Sequence, residues 1–232
     1  YYTGSSTEVK KSLRTMGYWD IMDYGQYYYN GYAPVGYTAY ERSTLGWLDL
    51  VELKEPAYVE LFPKGREDEG PQACFIRNPE NEKEYYIFQN RQDRTWYHAN
   101  FLGHGLLVTH VDYSASLWTS NSVNNDPDHR RVMYVPADNG YNLTYRQSGE
   151  SSTDFWNTYR NDLFPGGLGV KDFTDTTTPS ADVFTPSGKL GAPVYGITEH
   201  ADGTITFAFL EESLTGVQGV TTEENGIATE VY

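Results

Sequence analysis

The chain has little cysteine, few cations and no long apolar run. Cys74 is the only cysteine among 232 residues, so neither an internal disulfide nor a metal site built from several cysteines can form. Seventeen Lys and Arg face 32 Asp and Glu, which gives a net charge of −15. So acidic a protein is a poor partner for nucleic acid or an anionic membrane surface. No apolar stretch reaches the roughly 18 residues that a membrane-spanning helix needs, so we expect no membrane insertion.

Motifs of several common enzyme classes are missing as well. The sequence contains no phosphate-binding P-loop, no dinucleotide-binding glycine fingerprint and no serine-nucleophile elbow. Cys74 lies in the apolar run "ACFI", which favours a small buried side chain over a nucleophile. No two of the five histidines have the i, i+4 spacing of a helical zinc pair. These absences leave the function open.

Aromatic residues and strand-like runs are abundant instead, with 21 Tyr, 10 Phe and 5 Trp. Short apolar or alternating runs predict strands at 57–62, 73–77, 84–89, 105–111, 132–135, 193–198 and 204–210. Asp202-Gly203 between the last two runs predicts a hairpin. No helical segments alternate with these strands, so we predict a mainly β fold, an antiparallel β-sandwich.

A helix is predicted before the strands. Thr38 followed by Glu41 three residues later is typical of a capping box, and Gly46 is a suitable stop. We divide the chain into a helical, loop-rich part at 1–50, the β-sandwich at 51–212 and a linker toward a further module at 213–232. Because the chain begins with Tyr1 and ends with Tyr232 in a strand-like run, we expect it to be a piece of a longer protein.

Polar side chains collect after one of the predicted strands. His110 and Asp112 lie an even number of residues apart, which places both on one strand face. An oxygen-rich segment follows with Asn124, Asp126 and Asp128, and then His129. These six residues could form a calcium site, since calcium takes six to eight oxygen ligands, or a cluster satisfied by hydrogen bonds and Asx turns. Both interpretations stay open.

An ordered set of segments resembles the immune inhibitor A family of secreted bacterial zinc metallopeptidases. It comprises "GYWDIMDYG" at 17–25, "PVGYTAYERSTLGWL" at 34–48, "EYYIFQNRQ" at 84–92, "GHGLLVTHVDY" at 103–113, "WTSNSVNNDPDHRR" at 118–131, "ADN" at 137–139 and "DLFPGGLGVKDFTDTTTPS" at 162–180. The family's HExxH motif, which this chain lacks, precedes the segment that corresponds to 17–25. The resemblance therefore implies that the chain follows the zinc-binding histidines and the general-base glutamate.

The resemblance also implies roles for two residues. Met22 corresponds to the methionine of a Met-turn beneath the zinc, and Glu41 to the carboxylate that is the third zinc ligand. On the residues alone, Met22 is equally typical of an ordinary core methionine, and the pattern favours a capping role for Glu41. Residues 1–50 would then be a remnant of a zincin-type catalytic domain, with no catalytic residue within this segment.

We therefore expect the C-terminal portion of a secreted zinc-dependent metalloendopeptidase, a hydrolase acting on protein or peptide substrates and inactive as this fragment. Zinc would be the cofactor of the intact enzyme, and calcium could bind in addition. Secretion from a bacterium, or exposure on its surface, follows from the resemblance. We expect a monomer. The alternative is a non-catalytic β-sandwich module that binds carbohydrate or a surface partner through exposed rings such as Tyr27, Tyr28, Tyr29 and Trp118.

Overall fold

The structure is a computed structural model, and it describes residues 15–92, 102–143 and 145–214. Strands and short helices alternate irregularly along these ranges. The strands are β1 Val51–Glu52, β2 Ala57–Leu61, β3 Ala73–Asn78, β4 Asn81–Arg91, β5 Gly105–Asp112, β6 Val132–Val135, β7 Val194–Glu199 and β8 Ile205–Phe209. The helices are α1 Ala39–Thr44, α2 Ala115–Thr119 and α3 Ser152–Arg160, with 3-10 helices at Gly17–Trp19 and Gly25–Gly31.

The strands form two sheets, which confirms a β-rich fold and excludes a barrel of the described strands. One sheet has five strands in the order β1-β3-β4-β5-β6, and the other has three in the order β2-β8-β7. Neighbours pair in antiparallel fashion except β1 and β3, which run parallel with Val51 opposite Cys74. The prediction of purely antiparallel pairing is therefore wrong at this edge, where β1 is too short to show an alternating pattern.

The main core lies between the two sheets. Alternate residues of the central strands, such as Cys74 and Phe88, pack with Phe207 and Phe209 of the small sheet. The rings of Phe88 and Phe207 are 5.9 Å apart. Cys74 is buried, as predicted, and burial raises the pKa of its thiol, so it is a packing residue rather than a nucleophile.

Residues 16–50 cover the opposite face of the five-stranded sheet. Ala39 packs against Phe75, Ile87 and Val111, and a second cluster joins Trp19 to residues of β5, β6 and α3. Both faces of β5 are consequently covered, and all eight of its residues are buried. A strand covered on both faces is typically a continuous apolar run, as "GLLVTHV" almost is.

All seven predicted strands are present, and the predicted helix is confirmed as α1 with Thr38 as its N-cap. The hairpin at Asp202-Gly203 joins β7 to β8. Two of the three α-helices, α2 and α3, were not predicted. One of them, α3, begins after Ser151, whose Oγ accepts a hydrogen bond from the Asp154 N–H. Residues 1–14 of the first predicted part and 215–232 of the predicted linker lie outside the described residues.

Candidate functional site

A tight loop presents Met22 at the surface. The Asp20 carbonyl accepts hydrogen bonds from the N–H groups of Asp23, at 3.2 Å, and Gly25, at 2.8 Å. Glycine is needed at position 25 for the loop to close, because a Cβ atom there would lie only 2.2 Å from Val35 Cγ2 and 2.5 Å from the Asp20 carbonyl oxygen. Met22 is 72% exposed at the tip. Met22 is therefore not a core methionine of the described chain. Its role as the methionine of a Met-turn beneath a zinc ion remains a prediction.

Glu41 lies at the N-terminus of α1, and its carboxylate has two sets of neighbours. Its Oε2 accepts hydrogen bonds from the Thr38 N–H at 2.6 Å and the Thr38 hydroxyl at 2.5 Å. This bond from the third helical residue back to the N-cap confirms the predicted capping interaction. The Glu41 side chain also acts on Asp20, through hydrogen bonding and charge that raise the pKa of the Asp20 carboxyl group, so α1 and the Met22 loop meet at a pair of carboxyl groups.

The Asp20–Glu41 pair is electrostatically unusual. Burial raises the pKa of Asp20 to about 8, and the hydrogen bond and negative charge of Glu41 act in the same direction. The Met22 N–H opposes this rise by donating to Asp20 Oδ1 at 2.7 Å. Ionising two carboxyl groups that lie so close together is unfavourable, so a proton or a cation bound between them is favoured. Sequence reasoning missed Asp20, although it lies in the segment that carries Met22.

His110 belongs to a buried network on the strands. Its Nε2 lies 3.0 Å from Glu84 Oε1, and both side chains are fully buried. Glu84 also accepts hydrogen bonds from the Phe184 N–H at 2.7 Å and from Asn78 Nδ2 at 2.8 Å. Burial acts to raise the pKa of Glu84, but these donors outweigh it and the pKa is lowered. Glu84 thereby attaches the loop that contains Phe184 to the five-stranded sheet.

Asp112 has separate partners. Its Oδ2 lies 2.6 Å from His129 Nε2 and accepts a hydrogen bond from Arg131 Nη1 at 2.7 Å. The His129 ring stacks on Phe184 with the ring centres 3.8 Å apart. His110 and Asp112 therefore lie on one strand face, as predicted, but their partners differ. His110 contacts the Glu84 carboxylate, whereas Asp112 contacts His129 and Arg131.

The remaining residues of the predicted cluster make local contacts. Asn124 accepts from the N–H groups of Arg131 and Val132 and donates to the Val132 carbonyl. Asp126 Oδ1 accepts from the Asp128 N–H in an Asx turn. In the part of the chain that the structure describes, no group of three or more His, Cys, Asp or Glu side chains is arranged to hold a metal ion. The calcium site remains a prediction without a supporting observation.

Exposed large apolar side chains are concentrated in the segment of the chain from Met22 to Trp47. Between residues 22 and 47 the exposed large apolar residues are Met22, Tyr24, Tyr27, Tyr29, Tyr32, Tyr37, Leu45 and Trp47, and we call them the aromatic surface. Tyr28 and Trp118, predicted as exposed rings, are not part of it. Tyr28 is buried, and Trp118 is half-buried with its Nε1 donating to the Tyr40 hydroxyl.

Searches of protein-family models, curated proteins and solved structures found no match to this chain. Among the described residues, no helix combines the length and apolar character that crossing a membrane would require.

Proposed function

We propose that the chain is the C-terminal portion of a secreted zinc-dependent metalloendopeptidase, with the rest of the active site upstream. The contact between Asp20 and Glu41 carries the proposal. It brings together the two segments, 17–25 and 34–48, to which the resemblance assigns a Met-turn and a zinc ligand. These segments are separated by the 3-10 helix Gly25–Gly31, so their meeting is not a consequence of adjacency along the chain.

The donor set fits one ligand of a catalytic zinc site. Catalytic zinc takes three protein ligands, from His, Glu or Asp, and a water. Glu41 supplies a carboxylate that is oriented by Thr38 and α1, and the other two ligands would come from an HExxH segment. Zinc would supply polarisation of the peptide carbonyl and of the attacking water.

Residues of this chain would orient and support that ligand. Thr38 holds one Glu41 oxygen, and Asp20 holds the carboxylate from the other segment. A protonated Asp20 can donate to Glu41, which leaves the charge on Glu41 available for a cation. On this proposal, the isolated 232-residue chain hydrolyses no peptides, because it lacks the general base and two of the ligands.

The sequence upstream of Tyr1 tests the proposal. Sequencing there should reveal HExxH within a few tens of residues; its absence would overturn the proposal.

Zinc content of the parent protein tests the role of Glu41. In the parent, Glu41→Gln should reduce bound zinc, measured by atomic emission, by about tenfold or more. Glu82→Gln, on the exposed part of β4, is the matched control. Unchanged zinc in Glu41→Gln would leave Glu41 as a capping residue only.

A carbohydrate-binding module is the second candidate, and the aromatic surface favours it. Exposed Tyr and Trp rings can stack on sugar rings, and Tyr32 and Trp47 are 82% and 61% exposed. Pull-down of the 232-residue chain on insoluble cellulose, chitin and peptidoglycan tests this function. Binding that Trp47→Ala abolishes and Tyr145→Ala preserves would support it. Tyr145 is similarly exposed, at 63%, outside the aromatic surface.

A further inference from the structure

An Asp-Pro peptide bond lies in the exposed loop between α2 and β6. Asp126 and Pro127 are the only such pair in the sequence, and both residues are exposed. The chemistry of this pair is distinctive, because an aspartate carboxyl group can attack its own main-chain carbonyl carbon and close a five-membered ring. The proline nitrogen belongs to a tertiary amide and is more basic than other peptide nitrogens, so it leaves more readily.

Contacts on both sides of the bond hold this loop in place. Upstream, the Asn124 side chain accepts hydrogen bonds from the N–H groups of Arg131 and Val132 and donates to the Val132 carbonyl. Downstream, His129 Nε2 lies 2.6 Å from Asp112 Oδ2, which also accepts a hydrogen bond from Arg131 Nη1. Because Asp112 is the last residue of β5, the loop is fixed at both ends to the five-stranded sheet.

Two backbone N–H groups act on the reacting atoms of Asp126. Its main-chain carbonyl oxygen accepts a hydrogen bond from the His129 N–H at 3.3 Å. Such a donor stabilises the negative charge that develops on this oxygen during attack. Asp126 Oδ1 accepts a hydrogen bond from the Asp128 N–H at 2.9 Å, which limits the rotation of the carboxyl group. Restricting two groups that react with each other lowers the entropic cost of the reaction.

We propose that the bond between Asp126 and Pro127 is a self-cleavage site. A carboxyl oxygen of Asp126 attacks the carbon of its main-chain carbonyl group, and the C–N bond to Pro127 breaks. The carboxyl proton of Asp126 ends on the proline nitrogen, which becomes a new N-terminus. The cyclic anhydride that remains takes up one water and opens to a C-terminal aspartate. Because the reaction consumes only this water, the site does not depend on the proposed peptidase function.

The two products would stay together in the folded protein. Strands β1–β5 precede the bond, and β6–β8 follow it. Across the cut, β6 pairs with β5 over four residues, from Val108 opposite Val135 to Val111 opposite Val132. Strand β8 pairs with the whole of β2, and the core between the two sheets contains residues of both products. Cleavage would therefore open the loop while both sheets remain paired.

Mass spectrometry of the purified 232-residue chain tests the site. The chain is incubated with protease inhibitors and EDTA at the lowest pH at which its near-ultraviolet circular dichroism stays native. We expect fragments 1–126 and 127–232, with a summed mass of the intact chain plus one water, from a protein that elutes as one species in native gel filtration. Cleavage should be at least about tenfold faster than in a synthetic peptide of residues 122–131, because the fold restricts the reacting atoms.

Three substitutions identify the reacting groups. Asp126→Asn keeps a side-chain oxygen for the turn but removes the attacking carboxyl group, so no fragments should form in the same time. Pro127→Ala replaces the leaving nitrogen and should likewise leave the chain intact. Asp68→Asn, which removes a carboxyl group at an exposed turn outside the loop, should be cleaved at the native rate.

Four results would overturn the proposal. They are an uncut native chain, fragments 1–126 and 127–232 from Asp126→Asn, equal rates in the folded chain and the peptide, and a rate that rises with protein concentration. A self-cleavage reaction is first order in the chain, so the last result would assign the cut to a contaminating protease.

Discussion

Two buried carboxyl groups, Asp162 and Glu84, respond to their surroundings in opposite directions. Asp162 accepts hydrogen bonds from Trp19 Nε1 at 2.8 Å and Asn142 Nδ2 at 2.9 Å. Burial nevertheless raises its pKa well above the ordinary value. The pKa of Glu84 is lowered, because its three donors, His110 among them, outweigh burial. The two residues should therefore give opposite contributions to the pH dependence of stability.

Asp162→Asn should flatten the loss of stability that begins as the pH rises above about 4. A carboxyl group whose pKa is raised on folding stabilises the protein below its ordinary pKa, and this contribution is lost as the pH rises toward the folded value. The melting temperature of the variant relative to the native protein should therefore increase as the pH is raised above about 4. Asp68→Asn, at an exposed turn, controls for the loss of one negative charge. A constant difference across the pH range would contradict the raised pKa.

Glu84→Gln should show the opposite dependence. The substitution removes the charge that His110, Asn78 and the Phe184 N–H stabilise, and we expect a loss of about 2–4 kcal/mol at neutral pH. The loss should shrink as the pH falls through the lowered pKa, because the native protein then protonates Glu84 too. Urea unfolding at several pH values measures it. Glu82→Gln on the same strand should change the free energy of unfolding by less than about 0.5 kcal/mol.

At the scale of elements, helix α1 depends on contacts with the sheet. It has six residues, too few for an isolated helix to be stable in water. Gln89 of β4 accepts a hydrogen bond from the Ala39 N–H at 2.9 Å, and Trp118 Nε1 of α2 donates to the Tyr40 hydroxyl at 2.6 Å. The position of Glu41 is consequently set by β4 and α2 as well as by its own cap.

Gln89→Ala should loosen α1. It leaves the buried Ala39 N–H without its acceptor, which should cost about 1–3 kcal/mol of unfolding free energy. Chemical denaturation measures the loss, and hydrogen exchange at Ala39 should accelerate. The control is Gln26→Ala at an exposed position, where both should stay unchanged. Unaltered exchange at Ala39 in Gln89→Ala would show that the helix is held without this bond.

Elements with a local signal were predictable, and contacts between distant segments were not. Strands β2–β8 follow from alternation and turn residues, whereas β1, with only Val51–Glu52, has no pattern to detect. Alternation placed His110 and Asp112 on one face but could not identify their partners, since residues two apart are about 7 Å apart along a strand. The Asp20–Glu41 contact depends on how α1 packs on the sheet. It leaves no local sign in the sequence.

At the scale of the whole molecule, the distribution of exposed apolar side chains is uneven. The aromatic surface contains most of the exposed large apolar residues of the described chain, on a protein of net charge −15. Within this set the rings of Tyr24 and Tyr27 are neighbours, as are those of Tyr37 and Trp47, and exposed apolar patches mark surfaces that contact another molecule or segment. Under the proposed function, part of this surface would be covered in the parent protein, beginning with Met22.

Peroxide oxidation of the methionines tests that expectation. In the 232-residue chain, Met22 at 72% exposure should form its sulfoxide before Met16, which is 3% exposed, because oxidation of methionine follows solvent access. In a parent protein with the upstream HExxH segment, covering of the Met22 loop should slow oxidation of Met22 several-fold, while that of half-buried Met133 stays constant. Peptide mass spectrometry after timed exposure measures all three rates. Equal Met22 rates in the two proteins would mean that the loop stays open to solvent, and its role as the floor of a zinc site would be refuted.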